Sequence, residues 1–151
     1  MEILIEIAYI GRSTPTKGLD VLLRAVRELR DIEIKLHVFS DICCDNEPNI
    51  DFHGWVEPLK IWEHSFSHVV LPMLAPETYS FALHEAKKYN RSLIINRNNW
   101  SLTTQIEGNY LSYGSYAELL SVLSNLGESN EAKFEYKLVK RRSFWKKMSG
   151  V

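Results

Sequence analysis

The chain has 151 residues, 45% apolar and 25% charged, a balance that fits one globular domain with a buried core and excludes a disordered segment. Its longest apolar stretches, residues 1–10 and 68–74, fall short of the roughly 20 residues needed to cross a bilayer, and residues 1–10 lack the basic region and small-residue cleavage site of a secretory leader. The net charge of −1 divides into an acidic body, −7 through Ala132, and a basic tail, +6 from Lys133 onward, which argues against a nucleic-acid-binding domain.

Residues 3–10 are β-branched and apolar, as a buried parallel strand should be. The turn-forming loop Gly11-Arg12-Ser13-Thr14-Pro15-Thr16-Lys17-Gly18 follows. Residues 19–29 are predicted as a helix, with Leu19, Leu22, Leu23, Ala25, Val26 and Leu29 forming its apolar stripe. Residues 32–39 alternate as a strand, and 40–48 form a polar loop. That loop holds the only cysteines, Cys43 and Cys44. Neighbouring cysteines rarely bridge each other, so no disulfide framework is expected and a reducing cytoplasm fits best. Residues 50–53 read as a short strand before Gly54, and 58–64 as a short helix with Pro58 at its start. A strand over 69–72 leads to Pro76-Glu77-Thr78 and a helix ending near Tyr89. Strands over 92–96 and 110–112, a helix over 116–126 and a final helix over 130–148 complete the reading. Strands separated by helices predict a doubly wound parallel α/β sheet. Ligands then sit at the C-terminal ends of the strands, near helix N-termini.

Three groups of residues fall at such junctions. Gly11 lets the chain turn sharply off the first strand, and Gly18 lets a helix begin close by. Arg12 and Lys17, between them, either form a solvated rim or place two cations above the sheet edge for a diphosphate. The spacing is not that of a P-loop. Glu77 and Glu85 are eight residues apart, about 12 Å along a helix axis at 1.5 Å per residue. They read either as solvated helix charges or as the two ends of a long ligand, with the amides of residues 78–81 facing an anion between them. The segment Phe52-His53-Gly54-Trp55 is an ordinary strand exit or an exposed backbone edge able to frame a nucleotide base.

Taken in order, Tyr9-Ile10-Gly11-Arg12, Lys17-Gly18-Leu19-Asp20-Val21-Leu22-Leu23, Phe52-His53-Gly54, Leu71-Pro72 and Glu77 through Glu85-Ala86 resemble the C-terminal domain of the group 1 (family four) glycosyltransferases. The resemblance covers about residues 3–126. It implies a Rossmann-like fold, the C-terminal half of a GT-B enzyme, and retaining transfer from a nucleotide diphosphate sugar, most commonly UDP-linked. Arg12 and Lys17 would bind the diphosphate, Glu77 the transferred sugar and Glu85 the ribose. Gly11, Thr78, Tyr79, Ser80 and Phe81 would complete the donor site, with the loop around His53-Gly54-Trp55 near the base. Arg12, Lys17 and Glu77 would be its catalytic residues. Such enzymes use no metal cofactor, because basic groups and a helix N-terminus stabilise the leaving diphosphate. The sequence departs from the family pattern at Ser80, Asn90, Asn98-Asn99 and Gln105. At Ser80, where the family has glycine, a side chain is expected to crowd the sugar or to require a different backbone torsion. Asn90 can take the left-handed conformation of a helix-ending glycine.

The resemblance implies residues 1–128 as the donor-binding domain and 129–151 as a separate basic helix or tail. It also implies a fragment that lacks the N-terminal acceptor domain and is inactive alone. The setting is expected to be surface polysaccharide synthesis, O-antigen or capsule, in the cytoplasm. Lys and Arg residues interleaved with Phe134, Tyr136, Phe144 and Trp145 read either as a helix resting on an anionic membrane near a lipid-linked acceptor or as a packing helix. Two alternatives stand beside the enzyme: a non-catalytic nucleotide- or partner-binding module, and a nucleotide-sugar epimerase fragment, for which no acid and base pair is identified. His64 and His68, four apart, would not share a helical face and so form no metal pair. His37 and His84 read as structural.

Overall fold

Along the first strand, β1 (Ile5–Ile10), Ile7 and Tyr9 enter one apolar cluster and Ala8 the other, so both faces of the strand are covered. A strand buried on both sides belongs at the centre of an α/β sheet. The computed structural model, which describes residues 4–42, 44–76, 80–126 and 136–138, places it there. The sheet has six strands in the order β3-β2-β1-β4-β5-β7, and every pairing in it is parallel. The strands after β1 are β2 (Ile34–Phe39), β3 (Ile50–Phe52), β4 (His68–Leu71), β5 (Ser92–Asn96) and β7 (Leu111–Tyr113).

Helices lie on both faces. On one, the stripe Leu19, Leu22, Leu23, Ala25 and Val26 of α1 (Leu19–Glu28) packs with Leu119 and Leu123 of α5 (Tyr116–Ser124) against Ile7, Val38, Val70 and Ile94. On the other, α2 (Pro58–Ile61), α3 (Phe81–Lys88) and α4 (Trp100–Thr103) cover Phe39, Val69, Leu71, Leu93 and Ile95. Each fully buried leucine or isoleucine contributes about 1.5–3 kcal/mol. This is the expected doubly wound sheet. Asn90, with φ 56°, takes the left-handed conformation at the end of α3.

The expected elements begin or end within a few residues of their expected positions; α4 and the short strand β6 (Ile106–Gly108) were not expected, and the tail is corrected. The tail expected as a helix over 130–148 contains a strand, β8 (Tyr136–Leu138), paired antiparallel with β6 (Ile106–Gly108). Tyr136 is buried in the second apolar cluster, and its hydroxyl donates to the Arg91 carbonyl at 2.6 Å. Aromatic and apolar residues at 134, 136 and 138 have the period of a strand in the sequence, and Tyr136–Leu138 pair along the edge of β6. Tyr136 therefore ties its segment to the body. The rest of the expected tail lies outside the described residues. Among the described residues no helix is long and apolar enough to cross a membrane.

Candidate functional site

From β1 the chain proceeds outward to β2 and β3, then returns across the sheet to β4 on the other side of β1. Strand order reverses between β1 and β4, and the C-terminal ends of two such strands leave a crevice between their diverging loops. A cleft of about 530 Å³ lies there, lined by the end of β1, Gly11, Arg12, Lys17, Trp55, Met73, Pro76, Ser80 and the first residues of α3, Phe81 and Ala82. That volume suits a ligand of nucleotide size.

The first wall is built by glycine. Gly18 has φ 78°, and a Cβ there would stand 2.2 Å from the Pro72 carbonyl oxygen. Only glycine lets the turn Pro15–Lys17 lie against the exit of β4. Amides of Leu74 and Ala75 donate to the Thr16 carbonyl at 2.8 and 3.4 Å, which joins the two loops. Lys17 is thereby held at the cleft. Arg12 is positioned from two sides. The Tyr9 hydroxyl donates to its carbonyl, and the next amide, of Ser13, donates to Asp41 Oδ1 at 2.8 Å. Hydrogen bonds from Ser40 and Ser13 hold the Asp41 carboxyl below its ordinary pKa, so it stays charged at neutral pH. Arg12 itself is exposed and has no ion pair among the described residues.

The opposite wall is the start of α3. Ser80 is its N-cap, with φ −105°, ψ 111° and its hydroxyl accepting from the Leu83 amide at 3.3 Å. That φ is open to any residue. Ser80 is 2% exposed, and its own amide donates to Gln105 Oε1 at 3.4 Å, not into the cleft. Gln105 Nε2 in turn donates to the Ser101 carbonyl at 2.6 Å. The backbone here is ordinary extended conformation, and the side chain is buried. Asn99 also serves this wall. Its side-chain amide donates to the carbonyls of Met73 and Ala75 at 3.1 and 2.9 Å, fixing the loop that floors the cleft. The N-terminus of α3 carries a partial positive charge toward the cleft. Two cations and this helix end therefore face one space, beside the exposed rings of Trp55 (64%) and Phe81 (77%). The arrangement suits an anion joined to a flat or apolar group.

Of the expected site residues, Gly11, Arg12, Lys17, Ser80 and Phe81 line the cleft. Glu77, Thr78 and Tyr79 lie outside the described residues. Glu85 stands one turn beyond Phe81 on α3, on the same helix face, but is not part of the lining. His53 and Gly54 are not part of it either; Trp55, two residues on, takes that place. The reason is a ring cluster. His53 stacks on Phe39, with centroids 4.6 Å apart. Its Nε2 lies 2.9 Å from His37 Nδ1, and His64 tilts against it at 4.7 Å. Burial lowers the His53 pKa, the charges of His37 and His64 lower it further, and Asp51 opposes them. His37, in turn, faces Glu6 Oε1 through Nε2 at 2.8 Å, while Ser65 donates to Glu6 Oε2. Burial raises the Glu6 pKa, but the hydrogen bonds from His37 and Ser65 outweigh it and leave the carboxyl more acidic than usual. Sequence spacing misses this cluster because its histidines come from three separate elements.

A sequence profile of the family Glycosyl transferases group 1 matches residues 5–109. Among solved structures the chain is similar to the C-terminal domain of LpcC, a group 1 family glycosyl transferase from Francisella tularensis. The identity is 16% and the TM-score 0.67, over 85% of this chain and 78% of that one. It is also similar to Alr3699/HepE of Anabaena, crystallised in complex with UDP-glucose, at 14% identity and TM-score 0.64, over 79% of this chain and 38% of that one. The same protein in complex with UDP and glucose gives 15% identity and TM-score 0.64, over 79% and 37%. The chain thus spans well under half the length of HepE. At these identities the likeness speaks for the fold. Among curated proteins nothing matches.

Proposed function

This chain belongs to the group 1 glycosyl transferases, and we propose that its cleft binds the nucleotide diphosphate sugar from which such an enzyme transfers a sugar with retention. The observation that carries the reading is the convergence of Arg12, Lys17 and the N-terminus of α3 on one cleft at the reversal of strand order. When the bond from the anomeric carbon to the diphosphate breaks, the electron pair goes to the diphosphate oxygen and negative charge grows there. Fixed cations and amides aimed at that oxygen stabilise it more than the ground state. In this reading Arg12 and Lys17 meet the diphosphate, Glu77 the sugar hydroxyls and Glu85 the ribose. Trp55, with the turn at Gly54, lies toward the base. Charge is balanced by side chains and a helix end, so the transfer step itself requires no metal.

The UDP-glucose and UDP bound by HepE support uridine as the base. We further propose that an acceptor domain facing the cleft completes the active site. The acceptor is a glycan or lipid-linked glycan of surface polysaccharide synthesis, at the cytoplasmic side of a membrane; this setting rests on the family resemblance and on the basic residues after Lys133. Calorimetric titration with UDP and GDP tests the site. A charge-assisted hydrogen bond contributes about 1.5–3 kcal/mol, so the double variant Arg12→Ala/Lys17→Ala should bind at least about 100-fold more weakly. Equal affinity in the variant, or no nucleotide binding by the folded chain joined to its acceptor domain, would overturn the reading. The second outcome would favour a non-catalytic module instead.

A further inference from the structure

Beside the cleft, His37, His53 and His64 bring one ring nitrogen each to within 4.8 Å of one another. We propose that these three imidazoles form a structural binding site for a divalent transition metal of the zinc class, separate from the chemistry of the cleft. Imidazole nitrogen suits zinc and its neighbours. A tetrahedral zinc with Zn–N bonds of 2.0–2.1 Å sets its ligand nitrogens about 3.3 Å apart. His37 Nδ1 and His53 Nε2 already stand 2.9 Å apart, so a metal between them requires a small spread and displaces the proton they share, which moves to the other ring nitrogen or to solvent. The His64 ring, tilted over His53, makes no hydrogen bond among the described residues and keeps a lone pair to offer.

The surroundings match those of a metal ligand. His37 Nε2 lies 2.8 Å from Glu6 Oε1; in the neutral tautomer with its proton on Nε2, donated to that carboxylate, Nδ1 keeps a lone pair toward His53. A metal-ligating histidine is ordinarily held by such a carboxylate, which fixes its tautomer and strengthens it as a donor. Ser65 fixes Glu6 in turn through Oε2 at 2.8 Å. His37 is 5% exposed, while His53 and His64 are half-buried; the site is anchored inside and open on one side, where water can supply a fourth ligand. The three ligands come from β2, the exit of β3 and the turn after α2. A metal there would pin the turn that carries Trp55 into the cleft.

The test is titration of Zn²⁺, and of Co²⁺ as a spectroscopic probe, into the chelator-stripped full chain. His53→Phe and His64→Phe serve as variants, because phenylalanine keeps the ring packing and deletes only the nitrogen. The expected result is one Zn²⁺ per chain and a Tm rise of at least about 4 °C with excess metal. Co²⁺ should give tetrahedral absorption bands without thiolate charge transfer. Each histidine variant should bind at least about tenfold more weakly, and Glu6→Gln about tenfold more weakly through the orientation of His37. A Cys43→Ser/Cys44→Ser variant should bind as the wild type does. The proposal fails if no saturable one-to-one binding occurs, if the histidine variants bind unchanged, or if only the cysteine variant loses the metal. Metal stoichiometry and the Co²⁺ spectrum are read without nucleotide, and nucleotide titration of the metal-free chain is read without metal, so failure of either site is recognised separately.

Discussion

Ser80 closes the first turn of α3 by accepting from the Leu83 amide, while its own amide is held by Gln105. An N-cap hydroxyl contributes about 1 kcal/mol, and glycine at the same position costs only a few tenths. Ser80→Ala should therefore lower stability by about 1 kcal/mol in urea unfolding, whereas Ser80→Gly should stay within about 0.5 kcal/mol. Because φ is −105° at this residue, the glycine variant gains no torsion it needs, and its UDP affinity should remain within about twofold. Tighter nucleotide binding by Ser80→Gly would show that the hydroxyl does crowd the ligand. The exchange of glycine for serine was legible in the sequence as a departure, but its consequence was not. The compensating Gln105 lies 25 residues away and meets Ser80 only through the packing of α4 beside α3. Arg12 and Lys17 were legible as a pair because one short loop carries both.

At the scale of elements, the cleft depends on how the turn Pro15–Lys17 docks on the exit of β4. Gly18 makes that contact possible, and its left-handed φ adds to the constraint. A side chain at such a φ costs about 1–2 kcal/mol before any clash, and the Pro72 carbonyl blocks relaxation. Gly18→Ala should cost at least about 2 kcal/mol in denaturant unfolding and weaken nucleotide binding by displacing Lys17. Stability and affinity both unchanged would mean that the two loops are not joined as described. Helices and strands with a strong apolar period, α1 and β5 above all, were readable to within a residue or so, since periodicity reports which side is buried. β8 was not. Its basic and aromatic residues read as a membrane-resting or packing helix, and a three-residue strand is stabilised mainly by its partner β6 and by the Tyr136 hydroxyl donating to the distant Arg91 carbonyl.

Across the whole molecule, one parallel sheet with two covered faces follows from the alternation of strand and helix, and with it the position of the cleft. The ring cluster of His37, His53 and His64 does not, because it arises from the lateral register of β2 on β3 and the placement of α2. Histidine burial also shapes the response of the whole fold to acid. His68, at the start of β4, is pushed down to about 4 by burial from an ordinary 6.5. Between these values the unfolded chain binds a proton that the folded chain refuses, so stability rises with pH across that window and is level above it. Allowing for partial solvent exposure, about 1–2 kcal/mol should be lost as pH falls from 7.5 to 4.5. His68→Asn should flatten most of that slope, leaving smaller parts from His53 and, near pH 4.5, from carboxyls such as Glu6 that the fold makes more acidic. A slope unchanged in the variant would assign the acid sensitivity elsewhere.

A crystal structure of the chain with UDP would locate the nucleotide diphosphate. It should lie between Arg12, Lys17 and the first turn of α3, with the base toward Trp55. A diphosphate bound away from both cations, or a base seated where the diphosphate should lie, would contradict the donor-site reading.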